Sequence, residues 1–136
     1  MVVFDLGGTT VHDRGEVPAA FSDALREAGV AFDPAELAAW RGASKYEILR
    51  RLLTRQRDGT EVATTRVDHI YGHFRTGLAE RLMRARPLSL PGVRQVFECL
   101  RAGGIRVAVA SGFDRQIIEL VLGAVDWADL LDARVC

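Results

Sequence analysis

Three stretches carry residues able to do chemistry. "FDLGGTT" (4–10) ends an apolar run on Asp5 and turns at once through Gly7, Gly8, Thr9 and Thr10. "VASGFD" (109–114) ends a second apolar run on Ser111 and Gly112, and "RGASKYE" (41–47) holds Gly42 and Lys45. Side by side at the edge of a parallel sheet, the first two supply a carboxylate, a hydroxyl and glycine-flanked backbone N–H groups. That is a phosphoryl site in outline: the Asp5 carboxylate attacks phosphorus, while Ser111 and the amides of Gly8 and Gly112 hold the oxygens. Glycine lets the backbone approach an anion closely. Asp, Gly and Thr are also common turn residues, so Asp5 has a plain reading as a strand terminator.

Lys45 stands out by composition. Of 18 basic residues it is the single lysine; the rest are arginine. An amine, unlike a guanidinium, loses its proton readily enough to act as a nucleophile. Ser44 and Glu47 fit an S-x-x-E capping box, which places Lys45 in the first turn of a helix. There the positive end of the helix dipole, together with partial burial, disfavours the ammonium form. The plain alternative is a solvated lysine at a helix start.

The elements that must position these residues alternate in type. Residues 1–5 read as a buried strand, an apolar run without alternation. A helix begins near Val17, with apolar positions 17, 20, 21, 24, 25 and 28, Pro18 in its first turn and Gly29 as its stop. A short helix covers 33–40 with Asp33 as N-cap and Pro34 at the first helical position. The Lys45 helix follows, with Ile48, Leu49, Leu52 and Leu53 on one face. A longer helix covers 61–84 with the stripe Val67, Ile70, Tyr71, Phe74, Leu78 and Leu82. After the break at 86–93 come a helix with Val93, Val96, Phe97 and Leu100, a strand at 105–111, a helix from Asp114 to Leu122, and a third strand at 132–136. Strands alternating with helices imply a parallel α/β sheet, and four helices are too many for one crossover, so 17–84 is expected to form a separate helical lid. Asp5 and Ser111 then both lie at carboxyl ends of strands, where sites of such sheets form.

The totals exclude other classes. The chain has 136 residues, 49% hydrophobic and 26% charged, with formal net charge zero. Such a composition fits one globular domain and gives no electrostatic case for nucleic acid or an anionic membrane. No apolar run approaches the ~20 residues of a membrane span, and Asp5 interrupts the only apolar start, so a cytoplasmic protein is expected. Cys99 and Cys136 match no metal spacing. His69 and His73, four apart on one helix, lack a third ligand and read as structural or surface residues, with His12 elsewhere.

On these residues the sequence resembles the haloacid dehalogenase superfamily of aspartate-nucleophile hydrolases. Its usual first motif is D-x-D-G-T, where this chain has Asp5-Leu6-Gly7-Gly8-Thr9, and Ser111 matches its second motif. The resemblance implies an incomplete Rossmann-like core, residues 1–14 and 86–136, with an inserted α-helical cap at 15–85. It also implies Asp5 as nucleophile and Mg2+ ligand, with the Gly7 carbonyl on the metal. Gly7 replaces the second aspartate, which in ordinary phosphatases of the superfamily protonates the leaving alcohol. A small residue there looks like the phosphonatase branch, similar to phosphonoacetaldehyde hydrolase, in which a cap lysine within Gly-x-x-Lys forms a Schiff base with the substrate aldehyde. Gly42 and Lys45 match that stretch. Two positions depart from phosphonoacetaldehyde hydrolase itself: Ile48 stands where it has histidine, and Phe113 where it has tyrosine.

The expected ligand is therefore a small phosphonate or phosphate, bound by Gly8, Thr9, Gly42, Ser111 and Gly112. Neither nucleic acid nor membrane is expected as a partner, and a homodimer is an open option. The superfamily's third and fourth motifs would follow the third strand, so the 136-residue chain is expected to be a partial form with little or no turnover. The alternative from another class is a non-catalytic fragment of the fold that binds an anion or a partner through an open sheet edge.

Overall fold

The structure is a computed structural model and describes residues 1–40, 43–56 and 63–135. Its elements in chain order are β1 (Val2–Asp5), α1 (Glu16–Glu27), α2 (Pro34–Ala39), α3 (Lys45–Gln56), α4 (Thr64–Ala85), α5 (Val93–Ala102), β2 (Val107–Ala110), α6 (Arg115–Ala124) and β3 (Ala133–Val135), with a 3-10 turn at Ala128–Leu130. The fold is α/β, and its three strands form one parallel sheet in the order β1-β2-β3. The chain divides into two compact units: Met1–Arg14 with Leu82–Cys136, and Gly15–Arg81.

In the first unit the register sets Asp5 of β1 opposite Ala110 of β2, and Ala110 opposite Val135 of β3. Central β2 is buried at Val107, Ala108 and Val109. The uniformly buried strand expected at 1–5 is corrected: β1 alternates, with Phe4 packed on Phe97 and Val3 54% exposed, so the two faces of the strand are covered unequally. Residue Ile105, expected in the second strand, precedes β2 and is exposed. Helix α5 lays Phe97 between the Phe4 ring, centroids 5.1 Å apart, and the edge-on Trp127 ring, also at 5.1 Å. Of the apolar positions on α5 only Phe97 is fully buried, and Val96 is 47% exposed. On α6, Ile117, Ile118, Val121 and Leu122 are all buried, as their spacing predicts, and Asp114 caps the helix by accepting from the Ile117 N–H.

The second unit is helical throughout its described elements. Ala20, Phe21, Ala24 and Leu25 of α1, Ile48, Leu49, Leu52 and Leu53 of α3, and Val67, Ile70, Phe74 and Leu78 of α4 are buried, each set on one helical face. Aromatic contacts tie these helices together: Phe21 meets Phe74 edge-on at 5.4 Å and Tyr46 meets Tyr71 edge-on at 5.4 Å. Asp33 accepts from the Ala35 N–H at 2.9 Å with Pro34 just inside the helix. The Arg55 guanidinium clasps both Glu36 oxygens at 2.8 and 3.0 Å, which joins α3 to α2. No helix of the described residues is long and apolar enough to cross a membrane.

Candidate active site

Within the sheet unit, backbone bonds fix the Asp5 loop. After β1 the chain wraps around one acceptor, the Leu6 carbonyl. The N–H groups of Thr9, Thr10 and Val11 donate to it at 3.3, 3.0 and 2.8 Å. The Thr10 hydroxyl, 2% exposed, donates to the Asp5 carbonyl at 2.9 Å and the Leu6 carbonyl at 3.2 Å. A buried hydroxyl must find such acceptors or lose about 1–3 kcal/mol. The loop is then tied to the segment before α5: His12 N–H donates to Leu88 O at 3.0 Å, and Leu90 N–H to Thr10 O at 2.9 Å. Thr10 was not among the expected site residues. Its signal was the second threonine after Gly-Gly, a residue too polar to be buried without a task.

Each expected group has a definite place. Asp5 is exposed at the carboxyl end of β1, and the Thr9 hydroxyl donates to its Oδ2 at 3.3 Å. Gly7 is exposed, and a Cβ added to it would meet nothing within 4 Å. The expectation for the Gly8 amide is corrected. It donates to the Val11 carbonyl at 2.7 Å, because the turn closes on itself; the glycine is needed instead for its φ of +79°. Since Asp5 faces Ala110 in register, Ser111 begins one residue past the neighbouring strand end. Its N–H continues the ladder to Val135 O at 3.0 Å, and its Oγ accepts from the Phe113 N–H at 3.3 Å. Gly112 follows, exposed. The sheet thus brings Asp5, Thr9 and Ser111 to one edge, with an exposed carboxylate and a hydroxyl on adjacent strand ends.

Within the helical unit, Lys45 opens α3 as expected. Ser44 Oγ accepts from the Glu47 N–H at 3.4 Å, but the Glu47 carboxylate pairs with Arg50 at 3.0 Å, so only one arm of the capping box is seen. The half-buried Lys45 amine donates to Ala43 O at 3.1 Å and Trp40 O at 3.5 Å. Burial holds its pKa below the ordinary lysine value. Gly42 lies outside the described residues. His69 and His73 are both exposed, rings 4.6 Å apart, and His73 Nδ1 is 3.6 Å from Glu27. Among the described residues no three His, Cys, Asp or Glu side chains are grouped to hold a metal ion.

Comparisons with known proteins give the family and the fold. A family model described as haloacid dehalogenase-like hydrolase matches residues 1–136. The chain belongs to the haloacid dehalogenase-like hydrolases. A phosphoglycolate phosphatase of Cereibacter sphaeroides is 31% identical over 131 residues, covering 88% of this chain and 56% of that protein. A phosphonoacetaldehyde hydrolase of Lactiplantibacillus plantarum is 28% identical over 130 residues, covering 89% and 49%. This haloacid dehalogenase-like chain therefore spans about half to three fifths of the length of the curated relatives it matches. Among solved structures, a β-phosphoglucomutase from Clostridium difficile superposes with TM-score 0.79 at 17% identity, over 97% of this chain and 59% of that one. A phosphonoacetaldehyde hydrolase-like protein from Oleispira antarctica gives TM-score 0.70 at 24% identity, over 98% and 51%. At these identities the superpositions establish the shared fold.

Proposed function

We propose that this chain carries the nucleophile half of a hydrolase acting on a small phosphonate or phosphate. Asp5 is the nucleophile, Ser111 and Gly112 bind the phosphoryl oxygens, Thr9 holds the Asp5 carboxylate, and Lys45 of the helical unit is the reactive amine. The observation that carries the reading is the exposed Asp5 carboxylate at the end of β1, with Ser111 one residue past the register partner Ala110 on β2. Open α/β sheets bind ligands at this edge.

The donor set suits Mg2+. An exposed carboxylate and nearby backbone carbonyls are hard oxygen donors, and this ion is commonly bound by one or two carboxylates with waters and substrate phosphate rather than by a full protein cage. Asp5 and the Gly7 carbonyl would hold it, where it would offset negative charge on the phosphoryl group. The remaining steps belong to the chain. The Thr9 hydroxyl, donating to Oδ2, orients the Asp5 carboxylate for attack on phosphorus.

Two kinds of leaving group are in question, since relatives named for a phosphate ester and for a phosphonate both match. Gly7 favours the phosphonate, because it offers no proton to a departing alcohol. Cleavage of a C–P bond needs an electron sink in place of an acid. The Lys45 amine, partly desolvated and therefore easier to deprotonate, condenses with the substrate aldehyde and expels water. As Asp5 attacks phosphorus, the C–P electron pair moves toward the iminium nitrogen and leaves an enamine. The phosphoryl group is left on Asp5 as an aspartyl phosphate, which one water hydrolyses to phosphate. The enamine takes a proton on carbon to give an iminium, and a second water releases the aldehyde and frees the Lys45 amine.

The test is stoichiometric, so slow turnover does not obscure it. Phosphonoacetaldehyde with borohydride should label the wild-type chain on Lys45 and leave Lys45→Arg unlabelled at that helix. Absence of Lys45 labelling would sink the Schiff-base step. Gly7→Asp, for which the loop has room, should raise hydrolysis of phosphoglycolate if Asp5 is the nucleophile, and Asp5→Asn should erase that gain. A gain that survives Asp5→Asn would sink the aspartyl reading.

A further inference from the structure

The Lys45 amine sits in a first helical turn whose own cap is weak, at 3.4 Å from Ser44 Oγ to the Glu47 nitrogen. Besides the Ile48 N–H bond to the Ser44 carbonyl at 3.0 Å, a contact from another helix holds this turn. The adjoining residue, Tyr46, donates its hydroxyl to Asp68 Oδ1 of α4 at 2.8 Å. Its ring packs edge-on against Tyr71, 5.4 Å away on the same helix and three residues beyond Asp68. Tyr71 in turn packs on Phe74 at 5.6 Å, and Phe74 on Phe21 of α1. The start of α3 is thus fastened by one hydrogen bond and one ring contact to residues more than twenty positions away.

We propose that Tyr46 and Asp68 are positioning residues for the Lys45 amine: their hydrogen bond pins the first turn of α3 to α4 and so keeps Nζ on the Ala43 and Trp40 carbonyls, out of bulk water. The inference rests on the reading of Lys45 as the reactive amine, but its physical content, a placed and partly desolvated amine, is independent of any substrate. When the pin is lost, the first turn frays, the amine regains its hydration shell and the ammonium form is favoured.

The charged groups near the pin make the direction of the effect diagnostic. Glu47 and Arg50 on α3 and Asp68 on α4 all act on Tyr46, whose own pKa is raised, chiefly by the Asp68 hydrogen bond. Removing the Asp68 carboxylate would by charge alone lower an ammonium pKa nearby. Fraying predicts the opposite sign. Tyr46→Phe removes no charge at neutral pH, so it isolates the hydrogen bond.

The only lysine of the chain makes the measurement direct. Reductive methylation with 13C-formaldehyde gives one dimethyl-lysine resonance, separate from that of the N-terminal amine, and its pH titration reports Lys45 alone. Tyr46→Phe and Asp68→Ala should both move that titration upward and slow aldehyde trapping at neutral pH about two- to tenfold, the equivalent of one ordinary hydrogen bond. Asp68→Asn, which keeps an oxygen acceptor for the phenol, should stay close to wild type. A folded Tyr46→Phe chain with an unmoved titration overturns the proposal, and so does a downward shift in Asp68→Ala. If Tyr46→Phe does not fold, Asp68→Ala against Asp68→Asn decides by the same readout. Because no phosphonate is used, failure here is distinguishable from failure of the Schiff-base reading, which the labelling of Lys45 by phosphonoacetaldehyde decides separately.

Discussion

The Asp5 loop and the Lys45 turn hold their side chains by different means. At Asp5 the work is done mostly by backbone: three N–H groups and a hydroxyl converge on the Leu6 carbonyl, and strand register sets Ser111 next to β1. At Lys45 it is done by side chains, through Tyr46, Asp68 and Tyr71, and by an amine resting on two loop carbonyls. Backbone bonding of the first kind tolerates many side-chain changes, because each residue brings its own donor and acceptor. Side-chain fastening of the second kind depends on particular residues far apart in sequence. The two regions should therefore fail differently under mutation.

The largest effect is expected in the sheet's support. Phe97→Ala removes the ring between Phe4 and Trp127, and should cost about 3–5 kcal/mol in denaturant unfolding. A loss under about 1 kcal/mol would mean that the sheet does not depend on α5. Thr10→Val, close in shape, should cost about 1–3 kcal/mol by taking the hydroxyl from the Asp5 carbonyl, while the Leu6 carbonyl keeps its three N–H donors. It is the sharpest probe of the comparison, since this buried side chain bonds the backbone of the Asp5 loop. Ser44→Ala should cost less, about 0.5 kcal/mol, at the low end for an N-cap because its bond is long. A cost as large as that of Thr10→Val would show that the Lys45 turn is also locally held, and the contrast would fall.

The smallest effect is a matter of pH. Asp132 accepts from the Val107 N–H at 2.8 Å and pairs with Arg101 at 3.1 Å. The backbone bond first, and the neighbouring arginines after it, hold its pKa below the ordinary value of 3.8. A folded carboxylate with a depressed pKa contributes stability above the unfolded value and loses it as pH falls through the folded one. Asp132→Asn should therefore leave the acid limb of the stability profile shallower, with the difference confined to pH below about 5. An unchanged limb would show that the side chain adds nothing to the β2–β3 junction.

Much of the fold was legible because local signals agreed. Asp33-Pro34 marks a helix start, the stripes on α1, α3, α4 and α6 mark buried faces, and apolar runs before Asp5 and Ser111 mark strands. Helical periodicity misled on α5, where Val96 fits the stripe yet is exposed, because only Phe97 reaches the rings beside it. The run at 1–5 misled for a different reason: composition cannot tell a strand covered on both faces from one covered on a single face, and only what packs on a face buries it. At the candidate site, the residue types were readable and the direction of their donors was not. Gly8 was chosen as an anion donor, and its amide instead closes the turn on Val11.

The sequence by itself determined the α/β order, the family motif around Asp5 and Ser111, and the singular status of Lys45. These are local facts, set by residue type and spacing within a few turns of chain. Tertiary structure alone decided that Asp5 and Ser111 occupy adjacent strand ends, that Thr10 is buried under the loop, and that Lys45 is flanked by a Tyr46–Asp68 bond spanning 22 positions. The physical reason is that register and side-chain pairing join segments distant in sequence. No local propensity encodes which partner a strand or a phenol will meet.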